Sequence, residues 1–402
     1  NFTYLPELGH YVMTTFYPYQ WDLNYRNPRV FNEMMYNFLY LANQGMDIIR
    51  IDAVPYIWKE LGTNCRNLQQ VHTIVRMMRM IGEIVCPGIV LLGEVVMEPE
   101  KVAPYFGTVE KPECHMLYNV TTMAATWNTV ATRDIRLLRK QMDIVCSLPK
   151  EYTFLNYLRC HDDIGWGLDY ATLSEWGMKE VPHKKYLNDY FQGKTEGSVS
   201  RGELYNEDLV TGDARFCGTT ASMCGIESAG FERDEVKMDH AITKDIMLHA
   251  YMFTQSGIPM LYSGDEIGQV NDYTYKEDAD KAPDSRYIHR GKFCWDLVEK
   301  IKEKDSVQGR IFNALSELEA IRRKEAMFSA DAEVYTKDYS DSSILWIVRK
   351  TEKEELHAVF NFSDVDKTVW MPETAEYTDL LTGKRETIEK TVLPSWDFLW
   401  LK

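Results

Sequence analysis

Gly45-Met46-Asp47-Ile48-Ile49-Arg50-Ile51-Asp52-Ala53 decides the fold. It is a short apolar run that starts after a glycine and ends in charge, which predicts a buried strand with polar groups at its carboxyl end. Upstream, Pro28 to Asn43 places Phe31, Met34, Met35, Phe38 and Leu41 on one stripe, predicting an amphipathic helix that stops near Gly45. Downstream, Val71, Ile74, Val75, Met78 and Ile81 form the stripe of a second helix. Gly88-Ile89-Val90-Leu91-Leu92-Gly93-Glu94 then repeats the pattern of a strand ending in a carboxylate. His115–Tyr118, Tyr152–Asp162 and Ile258–Glu266 are read as further strands, the last two again ending in acid. Strands alternating with helices imply a parallel sheet. Polar residues gathered at the strands' carboxyl ends are the mark of a (β/α)8 TIM barrel.

The chain has 402 residues, long enough for two or three domains at about 150 residues each. Residues 1–164 read as barrel, with a loop subdomain at 1–25. Residues 165–233 are rich in Gly, Asp, Asn and Tyr with weak periodicity, and read as an inserted subdomain. Residues 234–328 return to barrel, with helices at Asp234–Ser256 and Gln308–Phe328. Beyond that, Ile344–Val348, Glu355–Phe362, Lys367–Met371 and Trp396–Leu401 are short β-type runs, so 329–402 is predicted to be an antiparallel β domain.

A formal charge of −16 argues against a nucleic-acid partner, which needs a basic surface. No apolar run approaches the roughly 20 residues that span a bilayer. The 12% aromatic content suits stacking on neutral ligands such as sugars. The eight cysteines contain no C-x-x-C pair, which reads as free thiols in a reducing, cytoplasmic compartment. Sequons at Asn1, Asn119 and Asn361 carry no weight by themselves. No phosphate-binding glycine motif is present, and the acids Asp272, Glu277, Asp278 and Asp280 read as a solvated loop, so no cofactor and no metal are expected.

The chemistry lies at three strand ends: Arg50-Ile51-Asp52, Gly93-Glu94 and His161-Asp162-Asp163. Residues two apart on a strand face the same way, so Arg50 and Asp52 point together. A guanidinium beside a carboxylate keeps it ionised, as a nucleophile must be. Glu94, one βα unit later, would be its protonated partner. Two such groups about 5–5.5 Å apart serve retaining glycosyl transfer through a covalent sugar–enzyme intermediate. Each residue alone has a blander reading: Arg50–Asp52 as a structural ion pair, a strand-end Asp as a cap, His161 as a packed histidine. Only the ordered set favours catalysis.

Gly45–Ala53, Leu92-Gly93-Glu94 and Asn156-Tyr157-Leu158-Arg159-Cys160-His161-Asp162-Asp163 resemble successive signature regions of the α-amylase superfamily, glycoside hydrolase family 13. Gln20-Trp21-Asp22-Leu23-Asn24-Tyr25, His161–Trp166, Thr211-Gly212-Asp213-Ala214-Arg215, Leu261–Glu266 and Asp284–Arg290 resemble its amylosucrase branch. The resemblance implies Asp52 as nucleophile, Glu94 as general acid/base and Asp162 as transition-state stabiliser. It places Arg50 and His161 at the glucosyl subsite, Phe16 and Val96 in the pocket wall, and Asp163 and Arg215 on the fructosyl or acceptor sugar. Arg286 matches an arginine that closes the pocket bottom by pairing with an aspartate from a part of the barrel this sequence does not contain.

The activity so implied is a retaining transglucosidase that takes glucose from sucrose, releases fructose and extends an α-1,4-glucan through a glucosyl-Asp52 intermediate. The rivals are a sucrose or α-glucoside hydrolase and a non-catalytic carbohydrate-binding fragment. Tyr17-Pro18-Tyr19 departs from the branch pattern. Only strands resembling the fourth to the eighth are found, and five strands cannot close a barrel. The expectation is a chain whose N-terminal barrel half is supplied by the same or a separate polypeptide.

Overall fold

The computed structural model describes residues 2–97 and 99–402, so the Asn1 sequon lies outside the described residues. The chain divides into two compact units, residues 1–96 with 101–118, and residues 97–100 with 119–402.

In the first unit an antiparallel hairpin, β1 (Phe2–Leu5) and β2 (His10–Met13), precedes α1 (Pro28–Asn43). Asn27 caps α1 by accepting from the Arg29 N–H at 3.1 Å, and Pro28 occupies the first turn, where its missing N–H costs nothing. Phe31, Met35 and Phe38 form its buried stripe. They pack with Ile74 and Met78 of α2 (Gln69–Val85) and with Ile89 and Leu91. Three parallel strands lie on this layer: β3 (Ile48–Ile51), β4 (Val90–Gly93) and β5 (Met116–Tyr118). Ile51 pairs with Gly93, and Gly93 in turn with Leu117. A side chain at Gly93 would bring Cβ to 2.6 Å from Cys114 Sγ and 2.9 Å from a Leu117 methyl, so only glycine lets β5 approach this closely.

The second unit opens with α3 (Val120–Thr132) and α4 (Arg136–Ser147). These lead to β6 (Thr153–Tyr157). A three-stranded antiparallel sheet follows, formed by β7 (Ile164–Gly165), β8 (Glu203–Tyr205) and β9 (Arg215–Cys217). Between its strands run α5 (Tyr170–Glu175) and α6 (Glu180–Phe191). Phe191 joins this segment to the core by packing on Trp127, Trp166 and Phe216. Two short helices, α7 (Thr220–Cys224) and α8 (Ile226–Glu232), lead to α9 (Glu235–Thr254), which Asp234 caps through the Lys237 N–H at 3.0 Å. β10 (Ile258–Met260) then pairs in parallel with β6, Leu155 opposite Ile258.

α10 (Trp295–Lys300) and α11 (Val307–Lys324) complete the helical part. The C-terminal β region has β11 (Glu333–Lys337), β12 (Ile344–Lys350), β13 (Glu355–Asn361) and β16 (Phe398–Leu401) in one antiparallel sheet. A separate ribbon is made by β14 (Lys367–Thr378) and β15 (Arg385–Leu393). Arg349, buried in β12, ties this region to the helical part by donating to the Met327, Thr254 and Ser329 carbonyls.

The parallel strands are shorter than the apolar runs predicted. β3 ends at Ile51 because Ala53 turns left-handed, at φ 45°. β10 ends at Met260 as the chain turns toward Gly264, at φ 101°. β6 ends at Tyr157, since Arg159 leaves the ladder for an ion pair described below. The helix expected to reach Phe328 stops at Lys324. β11 and β15 escaped the sequence reading: β15 is mostly polar and exposed, with only Ile388 and Leu393 buried. The Asn119 and Asn361 sequons are both core residues, at 3% and 0% exposure. Among the described residues no helix is long and apolar enough to cross a membrane.

Candidate active site

The parallel geometry of β3 and β4 sets the acids. The ladder continues past the strand ends, with Glu94 N–H donating to the Ile51 carbonyl at 3.0 Å. That step aligns Glu94 with the turn that follows Asp52. The left-handed Ala53 aims its own N–H at Glu94 Oε2, at 2.9 Å. Arg50, on β3, then bridges both acids: Nη1 lies 2.5 Å from Asp52 Oδ1 and Nη2 3.3 Å from Glu94 Oε1. Burial would lower the Arg50 basicity, but the charges of Glu94 and Asp52 overcome it and raise its pKa well above normal. Its guanidinium also sits 5.6 Å from the Tyr118 ring centre, at the end of β5. The two carboxylates differ in access: the Asp52 side chain is 75% exposed and that of Glu94 21%.

Phe16 and Val96 are joined on the same unit through two residues the sequence reading did not single out. Phe16, itself exposed, packs edge-on against Tyr56 with ring centres 5.2 Å apart. Arg66 lies over Tyr56 at 5.5 Å and donates to the Val96 carbonyl at 3.0 Å. Near Phe16, Lys59 holds Asp22 at 2.9 Å. Burial acts to raise the Asp22 carboxyl, but its bonds to Thr15 and Lys59 prevail and leave it below its usual range. Tyr17 and Tyr19, the departure from the expected pattern, stack on each other at 5.4 Å.

The second unit carries the other predicted residues. Arg159, just after β6, forms a buried ion pair with Asp265 at 2.8 Å, both side chains 2% exposed. This anchors the segment leading to His161 and Asp162. His161 Nε2 lies 3.1 Å from Asp162 Oδ2. Hydrogen bonding to Asp162, then to Cys160, pushes the imidazole up to about 10, so at neutral pH it is a cation. The ligand atoms of Cys160, His161 and Asp162 lie within 4.8 Å of one another, close enough to converge on a metal ion.

Two arginines from the loop at 284–290 close on Asp162. Arg290 donates to the His161 carbonyl at 2.5 Å and approaches Asp162 Oδ1 at 3.4 Å. Arg286 lies 3.8 Å from the same oxygen. Within this sequence Asp284 grips the Arg286 guanidinium through two bonds of 2.8 and 2.7 Å, a contact apart from the expected pairing with an aspartate of another barrel segment. Local spacing supplies the partner: an aspartate two residues earlier, capping the same 3-10 turn. Neither Asp284 nor Arg290 was singled out from the sequence, although both lie inside a quoted motif.

Arg215 Nε sits 3.6 Å from Asp163 Oδ2. Burial raises the Asp163 carboxyl, and the Arg215 charge opposes it only in part. Gly165 faces Arg215 across the β7–β9 register, and a Cβ there would fall 1.8 Å from Arg215 Nη1. Glycine is thus what lets the guanidinium lie flat on β7.

Arg50, Asp52, Glu94, Phe16 and Val96 therefore belong to the first unit. His161, Asp162, Asp163, Arg215 and Arg286 belong to the second.

Residues 2–163 match the family described as Alpha amylase, catalytic domain. The chain is 26% identical over 365 residues to a glucosylglycerate phosphorylase of Spirochaeta thermophila, covering 90% of this chain and 58% of that protein. It is 25% identical over 394 residues to the glucosylglycerate phosphorylase of Escherichia coli, covering 98% and 66%. Among solved structures, sucrose 6F-phosphate phosphorylase from Thermoanaerobacter thermosaccharolyticum aligns with a TM-score of 0.69 at 19% identity, over 98% of this chain and 71% of that one. The fold is thus that of such enzymes. The chain spans 58% to 66% of the length of these two curated relatives. The match to the family model extends over residues 2–163, and these relatives are named phosphorylases rather than amylosucrases.

Proposed function

We propose, from the alpha-amylase catalytic-domain sequence at residues 2–163, that this protein is a retaining α-glucoside phosphorylase. Asp52 attacks the anomeric carbon of an α-glucoside, and Glu94 delivers a proton to the departing aglycone oxygen. Phosphate then attacks the glucosyl-Asp52 ester with Glu94 acting as base, giving α-glucose 1-phosphate with retained configuration. The aglycone alcohol leaves with the proton, so one glucosidic bond is exchanged for one sugar-phosphate bond.

The observation that carries this reading is Arg50, whose single guanidinium touches both carboxylates. Two acids held by one planar fork favour the short separation, about 5–5.5 Å, of retaining enzymes over the wider gap that accommodates a water in inverting ones. The high exposure of Asp52 suits a nucleophile, which must reach carbon. The transition-state role of Asp162 rests on the family resemblance alone; within its own unit the His161 cation and two arginines lie beside it. Phosphate as acceptor is supported by the names of the curated relatives, and a small organic acid as aglycone by the same names.

The test is incubation with glucosylglycerate, sucrose or sucrose 6F-phosphate, each with and without phosphate. Phosphate-dependent α-glucose 1-phosphate is the expected product. Fructose with insoluble α-glucan from sucrose alone would restore the amylosucrase reading. Free glucose regardless of phosphate would point to a hydrolase, and no turnover of any donor would leave a binding role.

A further inference from the structure

Cys160, His161 and Asp162 follow one another shortly after β6, and all three are half-buried. The backbone that carries them is held from several sides. Arg159 is locked to Asp265, and Arg290 Nε donates to the His161 carbonyl at 2.5 Å. His289 Nε2 reaches the same carbonyl at 3.3 Å. The Gly218 N–H donates to the other His289 nitrogen at 3.1 Å, so that nitrogen carries no proton and Nε2–H is the donor to His161. Side chains on a segment this constrained are positioned before a ligand arrives.

One donor atom from each of the three residues lies within 4.8 Å of the other two, and among the described residues this is the one group of three metal-ligating side chains at such spacing. Zinc takes thiolate, imidazole and carboxylate at about 2.0–2.3 Å, which in a tetrahedral shell sets neighbouring donors about 3.3–3.8 Å apart. His161 Nε2 and Asp162 Oδ2 are already 3.1 Å apart. Closing the set therefore takes side-chain shifts of about an ångström. The two Asp162 oxygens divide their partners: Arg290 and Arg286 approach Oδ1, at 3.4 and 3.8 Å, while Oδ2 faces His161. The Asp162 N–H donates to Cys160 Sγ at 3.4 Å, a contact that favours the thiolate. A thiolate and a carboxylate together balance a dication, so the ion adds no net charge beside the arginines. Sulfur and imidazole nitrogen suit zinc and cobalt, whereas magnesium and calcium take oxygen ligands.

We propose that Cys160, His161 and Asp162 form a binding site for a divalent transition-metal ion of the zinc class, with three protein ligands and the fourth position left to water. On binding, the Cys160 thiol and the His161 imidazolium each release a proton to solvent, and the sulfur, a ring nitrogen and a carboxylate oxygen take the ion. The bound ion withdraws His161 and Asp162 from the sugar, so it inhibits the reaction proposed above. That consequence rests on the proposed reaction; the site itself does not.

The test titrates the full chain, reduced and freed of metal with a chelator, with cobalt(II). The expected signature is a saturable thiolate-to-cobalt charge-transfer absorption in the near ultraviolet, at one ion per chain, reversed by zinc and unaffected by excess magnesium or calcium. Cys160→Ser should abolish that absorption and weaken zinc binding by at least about tenfold, the loss that even an outer-shell partner of a metal causes. Asp162→Asn should keep the absorption and weaken zinc binding by a similar factor. Should Cys160→Ser fail to fold, Asp162→Asn decides through the affinity. No charge-transfer absorption in the native protein would overturn the proposal, as would the same absorption and affinity in the folded variants, or displacement of cobalt by magnesium as readily as by zinc. Absorption is read without substrate, so a chain that turns over no glucoside still decides the site. Zinc bound without loss of turnover would overturn the inhibitory consequence alone.

Discussion

Asp284 clamps Arg286 from two residues earlier in the chain, Oδ1 to Nε at 2.8 Å and Oδ2 to Nη2 at 2.7 Å, and so holds the guanidinium toward Asp162. Burial would raise the Asp284 carboxyl, but the bonds from Arg286 prevail and hold it below the usual range. A bidentate pair fixes direction as well as charge. Asp284→Asn should therefore release Arg286 without removing it. The expected result is a roughly tenfold higher KM for the glucosyl donor with a smaller change in kcat, read by steady-state kinetics. An unchanged KM would show that Arg286 does not depend on this clamp.

Asp52→Asn and Glu94→Gln should separate by the donor used. Losing the nucleophile should lower turnover by about three orders of magnitude or more with every donor. Losing the acid should do so only where the leaving group needs a proton. With α-glucosyl fluoride, Glu94→Gln should recover much of its first-step rate while Asp52→Asn does not. Recovery of Asp52→Asn but not of Glu94→Gln would reverse the assigned roles.

Gly165→Ala should act on Arg215 at a distance from the acids, because the new methyl occupies the place of Nη1. The far end of an arginine moves at little cost, so the melting temperature should fall by only a degree or two. The contact with Asp163 should be lost. Kinetically this predicts a several-fold rise in the acceptor's KM with the donor's unaffected, measured in paired titrations.

His161 should stay protonated far above neutrality, since Asp162 and then Cys160 push its pKa up to about 10. Its folded pKa exceeds the unfolded value near 6.5. The stability it contributes is thus complete below about pH 6.5 and is lost as the pH rises through about 10. NMR titration of its ring should show no deprotonation by pH 8. Asp162→Asn should return the ring to the ordinary histidine range.

The Arg159–Asp265 pair has a structural consequence. Both side chains are 2% exposed, and Arg159 also donates to the His289 carbonyl at 3.3 Å and lies 4.5 Å from the Tyr262 ring centre. Asp265→Asn leaves a buried guanidinium without its counter-charge. Breaking one side of such a pair costs about 3–5 kcal/mol, which urea unfolding would register.

The pieces legible in the sequence are those governed by local rules. Helices α1 and α2 follow from apolar residues recurring every three or four positions, and β3 and β4 from short apolar runs ending in charge. The strand-end position of Arg50, Asp52 and Glu94 follows from the same runs, but the burial expected of them holds only for β4: on β3, Ile48 is exposed and Ile49 and Ile51 are half-buried. The polar ribbon strand β15 was not legible, since its pairing with β14 rather than its burial stabilises it.

What the sequence determined by itself is therefore the order of the elements and which acids stand at their ends. Tertiary structure decided what those groups touch: Arg50 bridging two acids 42 positions apart, and Arg290 closing on His161. Periodicity reports how each segment meets its own solvent boundary. A salt bridge or a cavity forms only when segments distant in the chain are packed together, and no local pattern encodes that meeting.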